Sequence, residues 1–289
     1  DSPNDDHREQ IAQVFDLLKQ SSRPVILAGS GIRHAKAEKE FLELTGLLGV
    51  PVLTSRRGAD LMADDNTYFF GRPGTYGQRS ANFIIQNCDL LISIGSRLSI
   101  PLVGRNTNSF ARAARKVVVD IDQNELDKPT LNLDLPLAMD AGEFIKACLS
   151  YFPTTMPTYA PWIELCHGWR QKFPPDSYIG PSLPSAPAED GLIYPLSIIK
   201  TLSQEMGEDD VIVADGGAAL IYTLLGFRFK PGQRLISSTG LELPGFALAG
   251  AIGASMARDR GPAICLCEDR GFQISIQDLQ TIVDYRLPI

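Results

Sequence analysis

Short apolar runs alternate along the chain with stretches of helical periodicity. In the first half, Pro24-Val-Ile-Leu-Ala28, Val50-Pro-Val-Leu-Thr54, Leu90-Leu-Ile-Ser-Ile94 and Lys116-Val-Val-Val-Asp-Ile121 read as strands. Residues 11–18, 37–48, 80–87 and 143–149 repeat apolar side chains at helical spacing. Continuous apolar runs bounded by turn residues suit strands covered on both faces, so the alternation predicts a parallel, doubly wound sheet. A second alternation follows, with helix 195–206, strand 211–214, helix 218–226, strand 234–237, helix 245–256, strand 263–266 and helix 274–284.

The expected fold class is therefore α/β with two doubly wound parallel-sheet domains. The expected boundaries are a linker and leading helix over 1–22, a central domain over 23–152, a Pro-rich connector with one helix over 153–190, and a second domain over 191–289. The second sheet is expected to be incomplete at its C-terminal end, since no further apolar strand follows Leu287-Pro-Ile289.

A length of 289 residues exceeds what a single core usually supports, in agreement with two domains. Apolar residues make up 44% and charged residues 21%, with no uninterrupted run long enough to cross a bilayer, so no membrane partner is expected. The net charge of -7 and the lack of a Lys/Arg stripe interleaved with aromatics speak against nucleic acid and for a small-molecule ligand. Five cysteines at 88, 148, 166, 265 and 267 form no CxxC pair, and their odd count predicts reduced thiols in the cytoplasm. Cys265 and Cys267 alternate along an apolar strand and read as small buried hydrophobes; His167, beside Trp169 in a helical segment, reads as a packing or surface residue.

Several turns could carry chemistry. Ala28-Gly-Ser-Gly-Ile32 links a strand to a helix and serves either as a tight turn or as a phosphate site. Gly71-Arg-Pro-Gly-Thr-Tyr-Gly-Gln-Arg-Ser-Ala-Asn82 presents Arg72 and Arg79 to an anion or is a surface loop, and Gly95-Ser-Arg97 ends a strand at the sheet's carboxyl edge. In the second domain three successive strands end in glycine-containing or acidic turns: Asp215-Gly-Gly-Ala218, Ser237-Ser-Thr-Gly-Leu241 and Glu268-Asp-Arg-Gly271. Three such turns on one carboxyl edge form a pocket, unless their clustering is chance.

Residues 23–31, 71–77, 87–97 and 118–122 resemble the central domain of thiamine-diphosphate (ThDP) enzymes of the acetolactate synthase type, and residues 211–217, 237–253 and 272–282 resemble their diphosphate-binding domain. The resemblance implies a Rossmann-like first domain, ThDP and Mg²⁺ as cofactors, and FAD in some relatives. It further implies a 2-keto acid as substrate and a homo-oligomer or a complementary chain as partner. It makes Gly217, Ala218, Ala219, Gly240, Leu241, Asp269, Arg270 and Gly271 the cofactor-binding residues and Asp269 the metal ligand. No catalytic residue is expected in this chain, because the family's catalytic glutamate lies in a domain that precedes the central one.

Two departures from the family's pattern stand out. Its Gly-Asp-Gly turn is Glu268-Asp269-Arg270 here, without the later asparagine ligand, and Glu242-Leu-Pro244 replaces the segment whose large apolar residue props the cofactor. Glu268 near a diphosphate means a repulsion of about 1–4 kcal/mol, which Arg270 could offset. These residues leave two expectations open, an enzyme portion that decarboxylates a 2-keto acid and a cofactor-free pseudoenzyme or regulatory subunit. A flavin or nucleotide binder using the central domain is a third.

Overall fold

Strand β1 (Pro24–Ala28) is buried at every residue, as its unbroken apolar run requires. It lies between β2 (Val52–Thr54) and β3 (Leu90–Ile94), and β4 (Arg115–Asp120) and β5 (Leu135–Ala138) extend the sheet in the order β2-β1-β3-β4-β5. Every pairing is parallel, with Ile26 opposite Val52 on one side and Ile92 on the other. The computed structural model of the chain describes residues 5–175 and 193–289. It divides into two units, Asp1–Met62 with Asn66–Pro175 and Ala63–Asp65 with Asp176–Ile289.

Alternate residues of the five-stranded sheet feed two apolar layers. Ile26, Val52, Ile92 and Val117 pack against Val14 and Leu18 of helix Asp5–Gln20, Phe41 and Leu44 of helix Glu38–Leu48, and Phe144 and Ile145 of helix Ala141–Ser150. Val25, Leu27, Leu53 and Leu91 pack on the other face with Ile84 of helix Arg79–Asn87 and with Trp162 and Cys166 of helix Ala160–Lys172. Each such fully buried Ile, Leu or Phe side chain contributes about 1.5–3 kcal/mol relative to its exposed state.

Three features differ from the periodicity reading. Strand β5 was not anticipated: it contains Pro136 and exposes alternate residues, which an edge position tolerates because one side of the strand needs no N–H partner. The first helix begins at Asp5, six residues before the apolar periodicity that starts at Ile11. Helix Ala160–Lys172, expected in a connector, is part of the first unit: the Trp162 indole N–H donates to the Pro24 carbonyl at 3.0 Å, and the His167 ring packs at a tilt against Phe70, centroids 4.8 Å apart. Connector residues 176–190 lie outside the described residues.

In the second unit β6 (Val211–Ala214), β7 (Arg234–Ser237) and β8 (Ala263–Leu266) form a parallel sheet ordered β7-β6-β8. Helix Phe246–Met256 covers it through Ala247, Ala251 and Ala254. The continuous helix expected over 274–284 is broken into helix Asp269–Ile274, a 3-10 turn Ile276–Asp278 and helix Leu279–Tyr285. At the break the buried Ser275 hydroxyl donates to the Gly245 carbonyl at 2.7 Å, holding the chain toward the neighbouring helix start.

Cys88, Cys148 and Cys166 are free and buried. Burial raises all three thiols, Cys88 to about 12, so they stay protonated at neutral pH. Cys265 is likewise raised by burial and by its neighbour Cys267, to about 12, with the two sulfurs 3.8 Å apart.

Candidate functional site

In the first unit the turns with candidate chemistry are used for packing. The Gly29 N–H donates to the Ile94 carbonyl (2.9 Å) and the Gly31 N–H to the Gly95 carbonyl (3.0 Å), so these donors hold β1 to β3. A Cβ at Gly29 would lie 2.1 Å from the Gly95 oxygen, which shows why glycine stands there. The helix that follows, Gly31–His34, has only four residues, and the tight-turn reading of 28–32 therefore prevails over the phosphate site.

The Gly71–Asn82 loop is likewise folded on itself. Asn82 bridges both backbone groups of Gly74, at 2.8 and 3.0 Å, and Gln78 accepts from the Arg72 N–H at 3.1 Å. Arg72 is 2% exposed, with its Nε donating to the Ala59 carbonyl and its guanidinium over the Phe69 ring. Arg79 lies over the rings of Phe173 (4.4 Å) and Phe83 (5.7 Å). Arg97 donates to Glu125 at 2.9 Å, and Lys128 pairs with the same carboxylate. None of these cations is held toward a ligand by its contacts.

The second unit does bring its three turns together, and the residue that joins them is Asp215. It follows β6 directly and is 1% exposed. Its Oδ1 accepts from the Ala247 N–H at 2.8 Å and its Oδ2 from the Gly245 N–H at 3.3 Å, so it caps the N-terminus of helix Phe246–Met256 from another strand. Against the same carboxylate lies Gly271, where a Cβ would come within 2.0 Å of Oδ2 and 2.9 Å of the Gly245 nitrogen. One buried carboxylate thus fixes the ends of β6, of the β7–helix turn and of the β8–helix turn. Charge-assisted bonds to backbone N–H groups at a helix start, in a dry setting, are the stronger kind.

The second carboxylate of the site is Glu268. Its Oε1 accepts from the Ala219 N–H at 3.2 Å, in the first turn of helix Ala218–Gly226, and a Cβ at Gly217 (φ 92°) would lie 2.6 Å from that oxygen. Among the described residues Arg270 forms no ion pair with it, and both Asp269 and Arg270 are exposed. In the middle turn Gly240 has open space around it and Leu241 is 79% exposed. Of the eight expected binding residues, the Ala219 N–H bonds Glu268, and the Gly217 and Gly271 backbones lie against Glu268 and Asp215. Ala218 begins the helix beside them, Asp269 and Arg270 begin the helix after β8, and Gly240 and Leu241 stand in the exposed middle turn.

Residues 11–148 match the family described as thiamine pyrophosphate enzyme, central domain, and residues 215–289 match thiamine pyrophosphate enzyme, C-terminal TPP binding domain. The chain belongs to the thiamine pyrophosphate enzymes. Among similar proteins are the probable acetolactate synthase large subunit of Methanococcus aeolicus, 29% identical over 98% of this chain and 48% of the relative. The acetolactate synthase large subunit of Porphyra purpurea is 30% identical over 97% and 46%, and the isozyme 2 large subunit of Escherichia coli is 27% identical over 97% and 48%. The chain spans about half the length of the curated relatives it matches.

Does the second unit suit a diphosphate? The donor set fits an anion, because one already sits there: the Glu268 carboxylate rests on the Ala219 N–H, at the start of a nine-residue helix. For a divalent cation the set is thinner, since no group of three or more His, Cys, Asp or Glu that could hold a metal is found among the described residues.

In the sequence Asp215 and Glu268 stand only as acids of strand-end turns. The signal for Asp215 was an acid directly after an apolar strand and before two glycines. The contact of Glu268 with a residue 49 positions earlier has no such local trace.

Proposed function

We propose that this chain supplies the diphosphate-anchoring portion of a ThDP- and Mg²⁺-dependent enzyme of the acetolactate synthase type acting on a 2-keto acid. The observation that carries the reading is the convergence of three strand-end turns on Asp215, with a helix start beside them that seats an anion. Family membership in both domains and the acetolactate synthase relatives support it. In this reading Gly217, Ala218, Ala219, Arg270 and Gly271 face the diphosphate, Gly240 and Leu241 flank the rest of the cofactor, and Asp269 ligates Mg²⁺. The bound cofactor supplies the electron sink for decarboxylating the keto acid and joining the remaining acyl unit to a second carbonyl.

The chain's own residues bind and orient. Backbone N–H groups at the start of helix Ala218–Gly226 neutralise phosphate charge, and Asp215 holds the turns in register so that they do so together. No residue of this chain is assigned to proton transfer. The partner this reading calls for is a second copy or a complementary chain. A flavin or nucleotide in the central unit is not carried forward, because its glycine turn at 28–32 spends its N–H donors on the Ile94 and Gly95 carbonyls.

Calorimetric titration with ThDP, with and without Mg²⁺, tests this reading. Saturable, Mg²⁺-dependent but weak binding is expected, because Asp269 is the only carboxylate assigned to the metal and Glu268 must first move. No saturable binding up to about 1 mM ThDP, a concentration that corresponds to only about -4 kcal/mol, contradicts it. That outcome favours the second reading, a cofactor-free regulatory subunit, which the seating of Glu268 also supports.

A further inference from the structure

We infer that Glu268 is a built-in competitor for the diphosphate, an internal anion that occupies the helix start the cofactor needs. The inference rests on the ThDP reading of this site and deepens it. Proximity of a negative charge alone would weaken diphosphate binding by general repulsion. The structure shows something more specific: the carboxylate forms a hydrogen bond to the Ala219 N–H at 3.2 Å and lies where a side chain at Gly217 would stand, 2.6 Å from its Cβ position.

Geometry explains why this side chain reaches the seat. Glu268 follows β8 at the sheet's carboxyl edge, in extended backbone conformation (φ -82°, ψ 161°). β8 is the direct neighbour of β6, whose end leads into Gly217 and helix Ala218–Gly226. A side chain with two methylenes spans from one strand end to the next and places its oxygens on the neighbouring helix. The adjacent Asp269 instead begins its own helix and stays exposed. The carboxylate satisfies an otherwise orphaned N–H and sits at the positive end of the helix, the two interactions that a phosphate would make there. Diphosphate binding is then an exchange of one anion for another, and its strength is set by how readily the Glu268 turn lets go.

The test is titration of the protein with Mg²⁺-pyrophosphate, a probe without the thiamine moiety, and separately with Mg²⁺-ThDP. The variants are Glu268→Gln, Glu268→Ala and Glu268→Asp. Amide chemical shifts of Ala219 serve as a readout that needs no activity. The Gln and Ala variants are expected to bind pyrophosphate about tenfold tighter, the effect of removing one charge-assisted hydrogen bond from the competition. Glu268→Asp keeps the charge but loses a methylene and the reach to Ala219. It is expected to tighten binding as well, and to shift the Ala219 amide even without ligand.

If Glu268→Asp binds like wild type while the Gln and Ala variants bind tighter, charge proximity alone acts and the seated competitor is overturned. If all four proteins bind pyrophosphate and ThDP equally, the competitor is overturned and the ThDP reading stands. If none binds either ligand, the ThDP reading itself fails and the competitor with it.

Discussion

Gly29→Ala is expected to destabilise the central unit by about 3 kcal/mol or more. The added Cβ would stand 2.1 Å from the Gly95 oxygen, 2.5 Å from the Gly95 carbonyl carbon and 2.5 Å from the Ser96 Cα, all of them backbone atoms. Overpacking a tight interior costs typically about 1–3 kcal/mol, and a site walled by backbone relaxes least. Relief requires β1 and β3 to separate at their carboxyl ends, which breaks the Gly29 N–H to Ile94 bond at a further cost of about 0.5–1.5 kcal/mol. Gly46→Ala is the control, because no atom lies within 4 Å of its Cβ position inside helix Glu38–Leu48. There alanine is expected to be neutral or to stabilise by up to about 1 kcal/mol. Denaturant unfolding of the three proteins decides it, and a Gly29→Ala loss below 1 kcal/mol would overturn the packing explanation.

The second large effect is expected at Asp215. Alanine there leaves the Gly245 and Ala247 N–H groups buried without an acceptor, at a cost of about 2–4 kcal/mol. For a unit of this size each kcal/mol lowers Tm by roughly 4–8 °C. Asp215→Asn keeps one acceptor oxygen and the side chain's volume beside Gly271, so it should recover part of the loss. Because the same carboxylate aligns three turns, Asp215→Ala should also abolish pyrophosphate binding, whereas a merely stabilising residue would lower Tm and leave binding intact at low temperature. Thermal unfolding followed by titration at 10 °C separates the two. An alanine variant with unchanged Tm would show that Asp215 is not the hub described here.

Much of this architecture was readable in the amino-acid order. Runs such as Val25–Leu27 and Leu90–Ile92 are buried on both faces, and a parallel sheet is what such runs build. The family's motifs, spread along the chain, carried the domain identities. Strand β5 was hidden because Pro136 and alternate exposure weaken the apolar run at an edge. The break at Ser275 was hidden because the apolar periodicity continues through Ile274, Ile276 and Leu279, while a bond to Gly245 interrupts the helix.

Site legibility had the same limit. Glycine-rich turns at strand ends were visible, but a phosphate turn and a packing turn share a composition. At Gly29 and Gly31 the choice was made by the end of β3 and the residue after it, whose Ile94 and Gly95 carbonyls take both donors. Asp215 and Glu268 occur as unremarkable acids in sequence. They gain their roles only once parallel order brings β6, β7 and β8 side by side and lines up their ends.

The most direct measurement is a crystal structure of the protein grown with ThDP and Mg²⁺. It should show the diphosphate at the Ala219 N–H between the turns at 215–219 and 268–271, with the Glu268 carboxylate displaced from that donor and Asp269 on the metal. A diphosphate bound elsewhere on the chain, or one bound at Ala219 with Glu268 still in its seat, would contradict the arrangement described here.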